Sequence, residues 1–196
     1  MISDELNKYR IILASRSPRR AQLLSELGLR FEVAIKEWPE FYPDYLKGEE
    51  IALYLAKEKA NVFKQDIKVD EIVITADTIV WCNGKVLDKP SGKEDAFKIL
   101  KEVSGNTHEV ITGVCLLSAK KQVTFFSSTK VTFNELDNKE IDYYIENYKP
   151  FDKAGAYGIQ EWIGIAACSN IEGSYFNVMG LPVHMVYREL KRFISI

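Results

Sequence analysis

Long apolar runs are missing from this chain. No stretch approaches the about 18 consecutive apolar residues that a membrane-spanning helix needs, and Met1 to Arg10, with Asp4, Glu5, Lys8 and Arg10, holds no apolar core of signal-peptide length. The expectation is a cytoplasmic protein with no membrane partner. Charge of one sign is missing too: 26 basic and 28 acidic residues are mixed along the sequence for a formal charge of -2, so nucleic-acid binding is not expected and any basic site is local. Cysteine is scarce, and Cys82, Cys115 and Cys168 are odd in number, far apart and set among apolar neighbours. They read as buried free thiols, without the spacing of a disulfide framework or a zinc site. His108 and His184 are solitary, so nothing supports a Cys–His catalytic pair. Repeats, low-complexity segments and flexible linkers are absent, as are the phosphate-binding patterns G-x-x-x-x-G-K-S/T and G-x-G-x-x-G.

What remains is an ordinary globular composition. With 196 residues, 46% hydrophobic and 28% charged, the chain can bury one substantial core, as a single domain over 1–196 or one with two lobes. Ile11 to Ala14 reads as a short buried strand, and Ser17 as the N-cap of a helix with Pro18 at its first position. Leu23, Leu24 and Leu27 form its apolar stripe, and Gly28 its stop. Phe31 to Ile35 reads as a strand, Trp38 to Lys47 as a loop and Gly48 to Gln65 as a long helix. Ile72 to Trp81 is a strand returning through an Asn83-Gly84 hairpin to Lys85–Leu87. Ser91 with Glu94 reads as a capping box for a helix carrying Ala96, Phe97, Leu100 and Val103, ended by Gly105. Val110 to Leu117 and Gln122 to Phe133 form a two-strand ribbon. Ile141, Tyr144, Ile145 and Tyr148 mark a helix, Pro150 to Gly158 a polar loop, and Ile163 to Ala167 a strand. Pro182 opens a last helix with Val183, Val186, Tyr187, Leu190 and Phe193 inward. Interleaved helices and hairpins imply an α/β fold: a mixed sheet with flanking helices, in two lobes around a central cleft.

Five features carry chemistry. The helix opening Ser17-Pro18-Arg19-Arg20 places arginines, Arg16 included, where the dipole favours acids and a cation loses roughly 0.3–1 kcal/mol, which marks an anion site. Pairing with a distant carboxylate is the plain alternative, but Arg20 shares the face of Leu23, Leu24 and Leu27 and so leans inward. Phosphate is the expected tenant. Asp77 interrupts the apolar run Ile72 to Trp81, where an unpartnered carboxylate would cost several kcal/mol, so it needs a cation, a metal or a catalytic task, or else caps a strand end. Lys59 lies within the apolar stripe of its helix, either snorkelling or functional, and Lys89 is returned by the hairpin towards Asp77. Gln160 ends the run Asp152 to Gln160; as more than a surface amide, its carboxamide matches the O4 and N3–H edge of uracil or thymine.

These stretches, taken in order, resemble the Maf family of nucleoside triphosphate pyrophosphatases over nearly the whole chain. The resemblance rests on Ser15-Arg16-Ser17-Pro18-Arg19-Arg20, Ala76-Asp77-Thr78-Ile79-Val80, Leu87-Asp88-Lys89-Pro90 and Val103-Ser104-Gly105 with Thr107-His108. It continues through Asp152 to Gln160 and Gly173-Ser174-Tyr175 to Gly180-Leu181-Pro182. It implies an inosine-triphosphatase-like fold, Asp77 as catalytic base, Arg20, Lys59 and Lys89 around the triphosphate, and Ser15 in substrate binding. Arg19, Thr78 and Gln160 match positions tied to base preference and resemble the dTTP/UTP branch rather than the 7-methyl-GTP branch. A divalent cation, Mg²⁺ or Mn²⁺, is implied on Asp77 and Glu40, with Glu37 as the alternative to Glu40. The implied reaction gives monophosphate and pyrophosphate from dTTP, UTP or modified pyrimidine nucleotides, in nucleotide-pool housecleaning by a homodimer. A nucleotide sensor and an inosine-triphosphate pyrophosphatase are the rival readings.

Overall fold

A computed structural model describes residues 5–195, so Asp4 in the N-terminal charge pattern lies outside the described residues. The strands are β1 (Arg10–Leu13), β2 (Glu32–Val33), β3 (Glu71–Cys82), β4 (Lys85–Leu87), β5 (Thr107–Leu117), β6 (Gln122–Phe133) and β7 (Cys168–Glu172). The helices are α1 (Pro18–Glu26), α2 (Glu49–Asn61), α3 (Lys93–Val103), α4 (Asn138–Tyr148), α5 (Trp162–Ala167), α6 (Tyr175–Val178) and α7 (Val183–Ile194). The sheet runs β2-β1-β3-β5-β6-β7, with β4 paired to β3. β1 is parallel to β2 and β3, whereas β3–β4 and β6–β7 are antiparallel. This is the expected mixed α/β sheet with flanking helices.

The chain forms two compact units, and β3, β5 and β6 each contribute to both. The first comprises 5–77, Thr112–Ser127 and 180–195. Its core includes Ile12, Ala56, Ala60, Phe63, Val73, Cys115 and Leu117. Helix α2 lies unusually close to β5, because a methyl group at Gly113 would fall 2.2 Å from the Ala52 carbonyl oxygen. The buried Thr75 hydroxyl donates to the Ala56 carbonyl at 2.6 Å, tying the next turn of α2 to β3. The second unit comprises Thr78–Ile111 and Ser128–Met179, with a core that includes Val80, Leu100, Phe133, Tyr144, Tyr157 and Ile163.

Several boundaries follow from local chemistry. Ser17 caps α1 in extended geometry, Pro18 occupies the first turn, and no acidic residue lies there. Asn83 (φ 49) and Gly84 (φ 80) give the hairpin the paired left-handed residues that its tight turn requires. Strand β2 is shorter than Phe31 to Ile35, since it is an edge strand with both residues exposed. Helix α2 stops short of Gln65: Val62 caps it and successive tight turns fold Phe63 into the core.

Other expectations are corrected. Ser91 and Glu94 make no capping box; α3 begins at Lys93 after Gly92, and Ser91 bonds Asp95 through its N–H and hydroxyl at 2.9 and 3.1 Å. Ile163 to Ala167 is helical rather than extended. Ile163 and Ala167 are buried four residues apart while Ile165 is 82% exposed, the pattern of one helix turn that a five-residue apolar run conceals. Tyr187 is exposed rather than inward, at the edge of the stripe made by Val183, Val186, Leu190 and Phe193. Pro150 to Gly158 is not a polar surface loop: two 3₁₀ turns bury Pro150, Gly155, Ala156 and Tyr157. Cys82 and Cys115 are buried free thiols as expected, but Cys168 is only half-buried.

Candidate active site

The first unit gathers much of the charge singled out above. Thr75 and Asp77 lie two residues apart and so share one face of β3, while Ala56 and Lys59 share one face of α2. The Thr75–Ala56 bond therefore aligns the two elements so that the Lys59 ammonium meets Oδ1 of Asp77 in an ion pair. Glu40 Oε1 approaches the same ammonium at 3.4 Å, and the Trp38 ring lies 5.4 Å from it. The Lys59 ammonium is thus turned towards two carboxylates and an indole face.

Arg20 reaches the same strand from α1. Its Nη1 donates to the Ala76 carbonyl at 2.8 Å, its Nε to the Gly180 carbonyl at 2.8 Å, and Ser15 Oγ lies 3.4 Å from Nη1. Burial lowers the guanidinium's pKa from its usual value; Asp77 opposes this, Arg19 reinforces it and Glu40 opposes it. Ser15, Arg19, Arg20, Glu40, Lys59 and Asp77 consequently form one electrostatic neighbourhood, half-buried except for the exposed Glu40. Glu37 is not part of it: it pairs with Arg16 at 3.9 Å, both side chains far out in solvent.

Among the described residues no three His, Cys, Asp or Glu side chains converge as a metal cage. Asp77 and Glu40 nonetheless offer two oxygen donors that already converge on one cation, and Mg²⁺ is commonly held by one or two carboxylates with substrate phosphates completing its shell. The donor chemistry fits such an ion.

The second unit carries the other expected residues. Thr78 follows Asp77 on β3 and is half-buried. Lys89 is exposed after β4, beside Asp88, whose carboxyl is raised by burial, an effect that Lys89 opposes. Gln160 is exposed in the turn Gly158–Glu161, closed by the Glu161 N–H on the Gly158 carbonyl at 3.0 Å.

The family model for Maf-like protein matches residues 10–193. The chain belongs to the Maf family. A dTTP/UTP pyrophosphatase of Phocaeicola vulgatus is 56% identical over 96% of this chain and 98% of its own. A relative of the same name from Flavobacterium johnsoniae is 52% identical over 99% and 100%. Among solved structures, a nucleoside-triphosphatase / dITP/XTP pyrophosphatase from Mycobacterium abscessus covers 95% of this chain and 96% of its own at 12% identity and TM-score 0.42, too distant to bear on the assignment. Trp38, Thr75, Gly113 and Glu161 lie outside the motifs that carry the resemblance. Thr75 carries a signal, a hydroxyl two residues before Asp77 and next after the apolar run Ile72–Ile74; the others depend on long-range contacts.

Proposed function

We propose that this chain is a nucleoside triphosphate pyrophosphatase taking dTTP and UTP to the monophosphate and pyrophosphate, the activity for which its relatives at about half identity are named. The observation that carries the proposal is Asp77, a half-buried carboxylate in the middle of β3 paired with Lys59 and within the field of Arg20. Water attacks the α-phosphorus and the α–β anhydride bond breaks; pyrophosphate leaves with the bonding electrons, and the water's proton passes to the Asp77 carboxylate. Arg20, fixed by two backbone carbonyls, is a charge that needs no rearrangement as the leaving phosphates gain negative charge. Lys59 and Lys89 add to that stabilisation, and Ser15 completes the phosphate contacts. Asp77 and Glu40 would hold Mg²⁺ or Mn²⁺. When bound, that ion would neutralise phosphate charge and lower the pKa of its water.

Base preference is assigned to Arg19, Thr78 and Gln160, the carboxamide pairing a donor and an acceptor with O4 and N3–H of the pyrimidine. A cytoplasmic homodimer acting as one domain on free, ordinary or modified pyrimidine nucleotides completes the reading. Incubation with dTTP, UTP, ITP and purine triphosphates plus Mg²⁺, followed by product separation, tests it. Multiple turnover of dTTP and UTP to monophosphate and pyrophosphate is expected. Tight binding without products would make the protein a sensor, orthophosphate alone would make it a phosphatase, and an ITP preference would move it to the inosine-triphosphate class.

A further inference from the structure

The turn that bears Gln160 is locked by a polar network that the proposed chemistry does not use. Tyr144, fully buried on α4, donates its hydroxyl to Glu161 Oε2 and accepts the Gly158 N–H at 3.0 Å. The other oxygen of Glu161 lies 3.2 Å from the Lys153 ammonium, which also bonds Asp152 at 2.8 Å. Both ends of the four-residue turn are therefore held by side chains as well as by its own backbone bond. At its second position Ile159 is buried at 4%, and at its third Gln160 projects into solvent. A methyl group at Gly158 would sit 2.8 Å from the Glu161 carboxyl carbon, so the carboxylate packs directly on the turn it supports. Burial and this bond hold the Tyr144 hydroxyl well above its usual pKa, so it remains a donor at every working pH. A network this complete is more than a solvated acid needs.

We propose that Tyr144 and Glu161 are specificity-positioning residues, clamping the Gly158–Glu161 turn so that the Gln160 carboxamide meets a pyrimidine base in one fixed orientation. The proposal rests on Gln160 reading the base. Pre-organising one side chain this way is worth about one hydrogen bond, or about tenfold in binding.

The test uses steady-state kinetics on dTTP, UTP and GTP with Tyr144→Phe, Glu161→Ala, Glu161→Gln, Gln160→Ala and the double variant Tyr144→Phe/Gln160→Ala. Tyr144→Phe and Glu161→Ala are expected to raise KM for dTTP and UTP about tenfold with kcat within about threefold. Glu161→Gln, which keeps an acceptor for the tyrosine, should restore KM to within about twofold. The double variant should be no worse than Gln160→Ala, since a clamp acting through Gln160 has nothing left to position. If Gln160→Ala lowers pyrimidine preference while Tyr144→Phe and Glu161→Ala leave KM unchanged, the clamp is wrong and the base reading stands. Additive losses in the double variant, or lower kcat at constant KM from a reduced folded fraction, also overturn the clamp. Unchanged preference in Gln160→Ala overturns both.

Discussion

Two lysines in this molecule are buried to nearly the same degree, each against one inner and one outer carboxylate, yet they belong to different circuits. Lys59 and Asp77 are 16% and 18% exposed, and Lys59 also meets the exposed Glu40; Lys153 and Glu161 are 9% and 19% exposed, and Lys153 also meets the exposed Asp152. The difference lies in what surrounds the buried carboxylate. Both oxygens of Glu161 are taken, one by Lys153 and one by Tyr144, so its charge is spent on holding a turn. Asp77 instead pairs with Lys59 and lies in the field of the buried Arg20, in a neighbourhood that also holds Arg19 and Glu40. The Glu161 circuit closes on a single turn, whereas the Asp77 circuit gathers its members from β3, α1 and α2.

The sharpest break of this comparison is Asp77→Asn. It should lower kcat for dTTP by roughly 10²–10⁴-fold, the range for loss of a general base, while thermal melting and nucleotide binding change little; full turnover would end the catalytic assignment. Next comes the matched pair Lys59→Met and Lys153→Met. The first should cost about 10²-fold in kcat/KM. The second should cost about 1–3 kcal/mol in urea unfolding with kcat within severalfold. Equal losses of activity would erase the distinction.

A third test concerns the neutral interior of the second unit. His108 is buried against Phe133, bonds the Tyr157 hydroxyl at 2.7 Å, and burial lowers its pKa to about 4. Between its usual value of 6.5 and about 4 the unfolded chain binds a proton that the folded chain does not. Stability should therefore fall as pH drops through that window, by up to about 3 kcal/mol. Urea midpoints from pH 7 to pH 4.5 would show the slope, and His108→Gln should flatten it. The smallest effect belongs to Arg16→Ala, whose loose pair with Glu37 is almost fully solvated; stability should move by less than about 0.5 kcal/mol.

Local grammar made much of this legible beforehand. Ser17-Pro18 announced α1, Asn83-Gly84 announced the hairpin, and Lys59 and Asp77 stood out because each breaks an apolar pattern. Features that depend on distant partners were hidden. Tyr144 read as another apolar position of α4, because nothing local shows that its hydroxyl ends on a residue 17 positions away. Asp137 with Glu140 forms the genuine capping box, and its spacing alone does not set it apart from Ser91 with Glu94. In the latter, backbone geometry moved the start of α3 past the serine. Helix α5 is too short for its period to declare itself.

The bare Cα of Gly113 has a consequence for ionic strength. Helix α2 meets the sheet through a close backbone contact and through the Thr75 hydroxyl, neither of which is an ion pair. Added salt, which screens a solvated pair such as Arg16 with Glu37, therefore leaves the spacing of the two backbones that carry the inner pair unchanged. Steric contact, indifferent to counterions, sets the backbone spacing across which this ammonium reaches its carboxylate.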